Sequence, residues 1–195
     1  MPRTPEYDRA EVVDKAMAVF WERGYGQTSI GDLVDATGLK PGSLYAAFGS
    51  KKGVFLEVLD EYNRAFLVNV RSMARAEGSK IAAVRGILDD IVDKSVRGDD
   101  RRGCLSVNAL LEMSQHEPDI AARLEGHNQG VRDAFALLIR AAQDGREIPG
   151  DKDADALAAF LVNNIWGMRV SCRGCLDRGA LTAIVEAVMA SLESA

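Results

Sequence analysis

Apolar residues recur every three or four positions through nearly all of this 195-residue chain, and nowhere do they alternate as a half-buried strand requires. That period puts successive apolar side chains on one helical face, so the chain reads as all-α. Val13, Ala16, Met17 and Phe20 mark a first face, stopped by Gly24. Thr28 or Ser29 is placed to cap a second helix carrying Ile30, Leu33 and Val34, with Asp32 in its first turn and Gly38 at its end. Pro41 opens a third helix of two turns, in which Leu44 and Phe48 address one core. Ser50 suits the cap of a long fourth helix striped by Phe55, Val58, Leu59, Tyr62, Phe66, Val70 and Met73. Further stripes cover 84–92, 104–114, 118–139, 157–168 and 181–192, divided by the charged loop RGDDRRG and the turn REIPGDKDAD. There is no internal repeat and no low-complexity segment.

Two short helices joined by a tight glycine turn are the pattern of a helix-turn-helix, whose second helix enters the major groove of DNA. The small third helix fits that task. Ala46 and Ala47 leave its backbone free to approach a partner closely, while Leu44 and Phe48 pin it from behind. Lys40 and Lys51 flank it as phosphate partners, and the amides of Gly42 and Ser43 at its start suit an anion. Thr28 and Ser29 are placed for a second phosphate, and Tyr45 for the sugar-phosphate backbone. The total charge alone would not suggest nucleic acid, since 24 basic residues face 29 acidic ones. Its distribution is more telling. Residues 1–55 are neutral, with seven of each sign, and the remainder holds the whole deficit.

The stretch TSIGDLVDATGLKPGSLYAAFGSKKGVF resembles the N-terminal DNA-binding region of the TetR family of bacterial transcriptional regulators. The likeness rests on the threonine-initiated second helix, the Ala-x-Gly turn, the Gly-Ser-Leu-Tyr start of the third helix and its closing Phe. A Ser-Lys then leads into the fourth helix. It covers about residues 9–60 and fades after about residue 70. The resemblance implies a three-helix DNA-binding domain at 1–50, joined by a linker helix to a ligand-binding and dimerisation domain at 51–195. It implies a repressor released from its operator, a double-stranded DNA, by a small-molecule inducer. Thr28, Ser29, Lys40, Pro41, Gly42, Ser43, Tyr45 and Lys51 inherit the family's DNA-facing positions. Because positions 46 and 47 are alanines, base-edge hydrogen bonds fall mainly to Lys40 and Ser43.

In the C-terminal body the stripes at 154–172 and 178–193 are amphipathic and rich in small residues, as a two-fold four-helix bundle between two copies would need. A pocket is expected beside the linker helix. Asn108, Met113, His116, Phe135, Asn163 and Trp166 combine apolar bulk with polar tips and are its candidate lining, though residues of each kind are more often plain core or satisfied polar groups. The three cysteines stand open to two readings, as reduced structural thiols or as a redox or electrophile sensor through Cys104 or the pair Cys172 and Cys175. The C-x-x-C at 172–175 also suits an oxidoreductase, but such enzymes place it near a βαβ pattern, and this chain shows no strands. No acid/base pair, phosphate loop or nucleophile elbow points to an enzyme, and no residue set asks for a cofactor or metal. A helical protein-interaction module is the remaining rival. MPRTPEYDR lacks the apolar run of a leader and the odd cysteine count does not describe a disulfide framework, so a reducing cytoplasm is expected, with no membrane partner.

Overall fold

The computed structural model describes residues 7–97, 102–113, 116–174 and 177–193, and within them nine helices and no strand. They are α1 (Arg9–Arg23), α2 (Ile30–Thr37), α3 (Pro41–Phe48), α4 (Lys51–Arg75), α5 (Lys80–Arg97), α6 (Leu105–Met113), α7 (Pro118–Asp144), α8 (Ala154–Ser171) and α9 (Arg178–Glu193). Local chemistry accounts for most boundaries. Asp8 caps α1 through the amides of Ala10 and Glu11, and Ser50 caps α4 through Gly53. At α2 the cap is Ser29 and not Thr28. Its hydroxyl accepts from the Asp32 amide while Asp32 accepts from the Ser29 amide, a complete capping box. Gly38 then ends α2 in the left-handed region at φ 73°, and its amide reaches back to Val34 O.

Two apolar clusters form the interior. The first joins α1, α2 and α3 to the front of α4 around Phe20, Leu33, Leu44, Phe48 and Phe55, and α6 and the start of α7 complete it through Leu105, Ile120 and Leu124. The second gathers the rear of α4, α5, the rest of α7, α8 and α9 around Leu88, Phe135, Leu161, Val185 and Leu192. Helices α4 and α7 lie side by side and run in the same direction. Lys52 meets Glu117 and Asp119, Asp60 meets Arg123 and His127, and Phe66 meets Phe135. Each therefore contributes its first half to one cluster and its second half to the other. Helix α9 runs against α5, tied by Arg85 to Glu186 and Arg178 to Asp93.

The start of α5 is capped from outside its own segment. Glu147, in the turn after α7, accepts from the amides of Lys80 at 2.8 Å and Ile81 at 3.2 Å and from the Ser79 hydroxyl. Burial pushes this carboxyl up, and those hydrogen bonds outweigh it, so its pKa lies below the ordinary glutamate value. A depressed folded-state pKa contributes stability above the unfolded value and loses it as pH falls through the folded one. Glu147→Gln should lower the melting temperature near neutral pH by roughly 2–4 °C, for about 1 kcal/mol of lost capping, and should flatten the fall in stability below about pH 4.5. Calorimetry from pH 3 to pH 7 checks both.

Candidate nucleic-acid interface and ligand cavity

Helix α3 is held from behind and bare in front. Leu44 and Phe48 are 1% and 9% exposed, whereas Lys40, Pro41, Gly42, Ser43, Tyr45 and Ala46 all face solvent. The proline opens the helix without a side-chain cap at Lys40. The Ser43 amide, expected to be free for an anion, donates instead to Lys40 O at 2.9 Å, because the first turn tightens. The glycine that fixes α3 against α4 is Gly53. A Cβ there would lie 1.9 Å from Phe48 O, so α4 meets the closing carbonyls of α3 at a distance only glycine allows.

Two of the four residues expected to hold phosphate, Thr28 and Lys51, make contacts within the protein. Thr28 is buried, and its hydroxyl donates to Gly24 O at 2.6 Å, closing the α1–α2 loop. The Lys51 ammonium donates to Tyr25 O and Thr28 O, both at 2.9 Å, and sits 4.3 Å from the centre of the Tyr25 ring. It therefore staples the start of α4 to that same loop, with one of its three N–H groups left over. Ser29 stays exposed within its capping box, whose hydrogen bonds hold the Asp32 carboxyl below its ordinary pKa. Tyr45 is about half exposed, its ring outside the core.

Cations on this unit are mostly spent. Arg9 pairs with Glu57, Lys15 with Glu11, Arg23 with Asp32, and Lys52 with Glu117 and Asp119. Among the described residues up to 58, Lys40 alone has neither ion pair nor hydrogen-bond partner for its ammonium group. The α1–α2 loop has a second holder that sequence spacing did not suggest. Glu112, near the end of α6, accepts from the amides of Tyr25 at 3.0 Å and Gly26 at 2.6 Å.

Behind α4 lies a cavity of about 410 Å³. Of the expected lining residues it brings together Phe135 and Trp166, with Phe66, Met73 and Ile87 completing the apolar wall. The other four lie elsewhere. Asn108 donates to Arg102 O and accepts from Arg173 outside this cavity, Met113 is packed into the first cluster, and His116 and Asn163 face solvent. Asn63 and Asn128 line the cavity and were missed, since an isolated asparagine on a helix carries no pattern. Cys104 also lines it, beneath the Tyr62 hydroxyl at 3.6 Å. Cys172 is buried at the end of α8, where its sulfur lies 2.7 Å from Ser95 Oγ of α5. Cys175 lies outside the described residues. His127, half-buried against Asp60 at 2.9 Å, is pushed below its ordinary pKa by burial, against the pull of that carboxylate. No cluster among the described residues suits a metal ion, and no described helix is long and apolar enough to cross a membrane.

Comparison with known proteins agrees with this layout. Residues 12–58 match the family described as bacterial regulatory proteins, tetR family, and residues 81–188 match the family described as tetracyclin repressor-like, C-terminal domain. The likeness thus extends well past residue 70, where the sequence motifs fade. The HTH-type transcriptional repressor ComR of Escherichia coli is 34% identical over 88% of this chain and 82% of its own. The HTH-type transcriptional regulator YezE of Bacillus subtilis is 33% identical over 83% of this chain and 84% of its own. Among solved structures, a cysteine mutant of the TetR family regulator CifR, complexed with 26-bp double-strand operator DNA, superposes with a TM-score of 0.82 at 30% identity, covering 96% of this chain and 98% of that one.

The geometry separates three substitutions. Lys51→Met should lower the melting temperature, because two part-buried carbonyls lose their donor at a cost of about 1–3 kcal/mol. Lys40→Ala should leave stability unchanged and reduce the salt dependence of duplex binding by about one ion. Ser43→Ala should spare both and change sequence preference. Thermal melts beside titrations at several salt concentrations distinguish the three.

Proposed function

The chain belongs to the tetR family of bacterial regulatory proteins, and from that membership we propose that it represses transcription as a homodimer released from its operator by a small molecule. It is a DNA-binding transcriptional regulator, working by occupancy of a duplex and not by chemistry, in the cytoplasmic compartment where that duplex lies. The observation that carries the DNA reading is the bare front of α3, backed by Leu44 and Phe48, with Lys40 unpaired beside it. Contacts are assigned to Ser29, Lys40, Pro41, Gly42, Ser43 and Tyr45, with Thr28 and Lys51 shaping the loop behind them and the spare N–H of Lys51 available to a phosphate. Residues 1–50 act as the reading unit and 51–195 as the sensing and dimerising unit.

Helix α8 supports the dimer. Ala156, Phe160, Asn163, Gly167 and Val170 recur at heptad spacing, and all five are exposed. On α9 Ala183, Ala187 and Ala190 do the same. These uncharged, mostly small faces suit close packing against a second copy, which places two α3 helices on one duplex about 34–36 Å apart or a multiple of it. Helix α6 supports the release step. Cys104, just before it, and Ser106 in its first turn border the cavity, and its far end holds the α1–α2 loop through Glu112. A ligand that moves α6 therefore acts directly on the loop that positions α2.

Phe160→Glu should give a monomer by light scattering and weaken binding to a two-site duplex by about 10²-fold or more, since linking two sites is worth that much. Selection from a random duplex library should return a two-fold symmetric site, with affinity falling steeply as salt rises. A monomeric native chain with one site per duplex would overturn the dimer, and salt-independent association would favour a protein partner.

A further inference from the structure

Among the polar residues in the cavity lining, three are neutral and largely buried or unpartnered. Asn63 on α4 is 6% exposed and Asn128 on α7 is 8% exposed. Both residues line the cavity, and neither amide hydrogen-bonds to a described residue, so both remain available to a molecule that fills it. Ser106, in the first turn of α6, brings a hydroxyl that is buried without a hydrogen-bond partner. Buried polar groups left without partners cost about 1–3 kcal/mol each and are rare in folded proteins. The Ser106 hydroxyl carries that cost until something in the cavity meets it, and the two amides add further hydrogen-bonding groups to the same lining.

The charges around the cavity point the same way. Asp90 and Lys94, both in its lining, pair with each other at 2.7 Å, and Arg169 is engaged as well. These charges already have partners, whereas a buried ligand charge would need a partner of its own to be tolerated. Two carboxamides and a hydroxyl offer both donors and acceptors, all neutral. We propose that the cavity takes an uncharged, largely apolar molecule whose carbonyl, hydroxyl or amide end is held by Asn63, Ser106 and Asn128. The apolar remainder packs on Phe66, Phe135 and Trp166. This assignment rests on the ligand-responsive reading above and adds the class of ligand to it. It also gives that ligand a route to α6, because Ser106 belongs to the helix that carries Glu112.

The test uses the full chain and three probes sharing one aromatic body: benzylacetone, butylbenzene and hydrocinnamate. Affinities are read by calorimetry and by thermal shift at neutral pH. The neutral ketone should bind about tenfold or more tightly than either the hydrocarbon or the carboxylate, the ratio expected of one well-made hydrogen bond. Asn63→Leu combined with Asn128→Leu should abolish the preference for ketone over hydrocarbon while holding or raising the melting temperature of the free protein. Equal affinities, tightest binding of the carboxylate, or no binding by any probe up to about 1 mM would overturn the proposal. So would a double variant that melts several degrees lower, since its asparagines would then serve the fold; Ser106→Ala, a milder change, should reduce the ketone preference on its own. Duplex binding by the ligand-free chain is scored separately. Its absence sinks the regulator reading and leaves the ranking of probes intact, whereas a failed ranking with normal duplex binding removes only the ligand class.

Discussion

The parallel seam between α4 and α7 is the constraint on which the remaining structure depends. Each helix lies in both apolar clusters, so neither the reading head nor the C-terminal body is completed without it. The seam is closed by ionic contacts near its start, from Lys52 to Glu117 and Asp119, and by aromatic packing of Phe66 on Phe135 further along. Exposed ion pairs of this kind add little energy, and their use here is to set register. The energy comes from the buried Val54, Phe55, Val58 and Leu59 on one side and Ile120 and Leu124 on the other. Because the two helices run the same way, a shift of either along its axis moves the head and the body together.

The head that hangs from this seam is economical with charge. With its other cations paired internally, the proposed DNA contacts rest on Lys40, the uncapped start of α3, Ser29 and the spare N–H of Lys51. A surface of that kind binds weakly through one copy and depends on being presented twice. It also depends on being rigid. Gly53 permits the contact of α4 with the end of α3, Lys51 grips the carbonyls of the α1–α2 loop, and Glu112 grips its amides. Those last two grips on the same loop come from different helices, one from α4 and one from α6. The loop is thus the place where the head and the cavity-bordering helix meet.

The cavity and the head are connected by short, stiff elements and by direct hydrogen bonds, with α6 only nine residues long. Ser106 stands at one end of it and Glu112 at the other. A ligand bound at Ser106 stabilises whichever α6 position gives the better hydrogen bond, and it shifts the DNA-binding population only by that difference in affinity.

Helix content, the placement of α1 to α4 and the helix-turn-helix they contain were legible in the sequence, because they follow from short-range rules. Three-residue and four-residue spacing, Pro41 at a helix start, Gly38 at a left-handed stop and Ser50 as a cap each act within one turn of the chain. What the tertiary structure alone decided involves partners far apart in sequence. Thr28 turned inward and Lys51 turned to two carbonyls, although spacing placed both beside DNA, because the α1–α2 loop needed those donors. Glu147 became the cap of α5, and Glu112 the brace of Tyr25 and Gly26, across 66 or more residues. The pocket residues show the same limit. Phe135 and Trp166 could be guessed from their bulk, while Asn63 and Asn128 gained meaning only when packing brought them to the lining of one cavity. A sequence records which faces are apolar; which polar groups end without a partner is set by the three-dimensional closure of those faces.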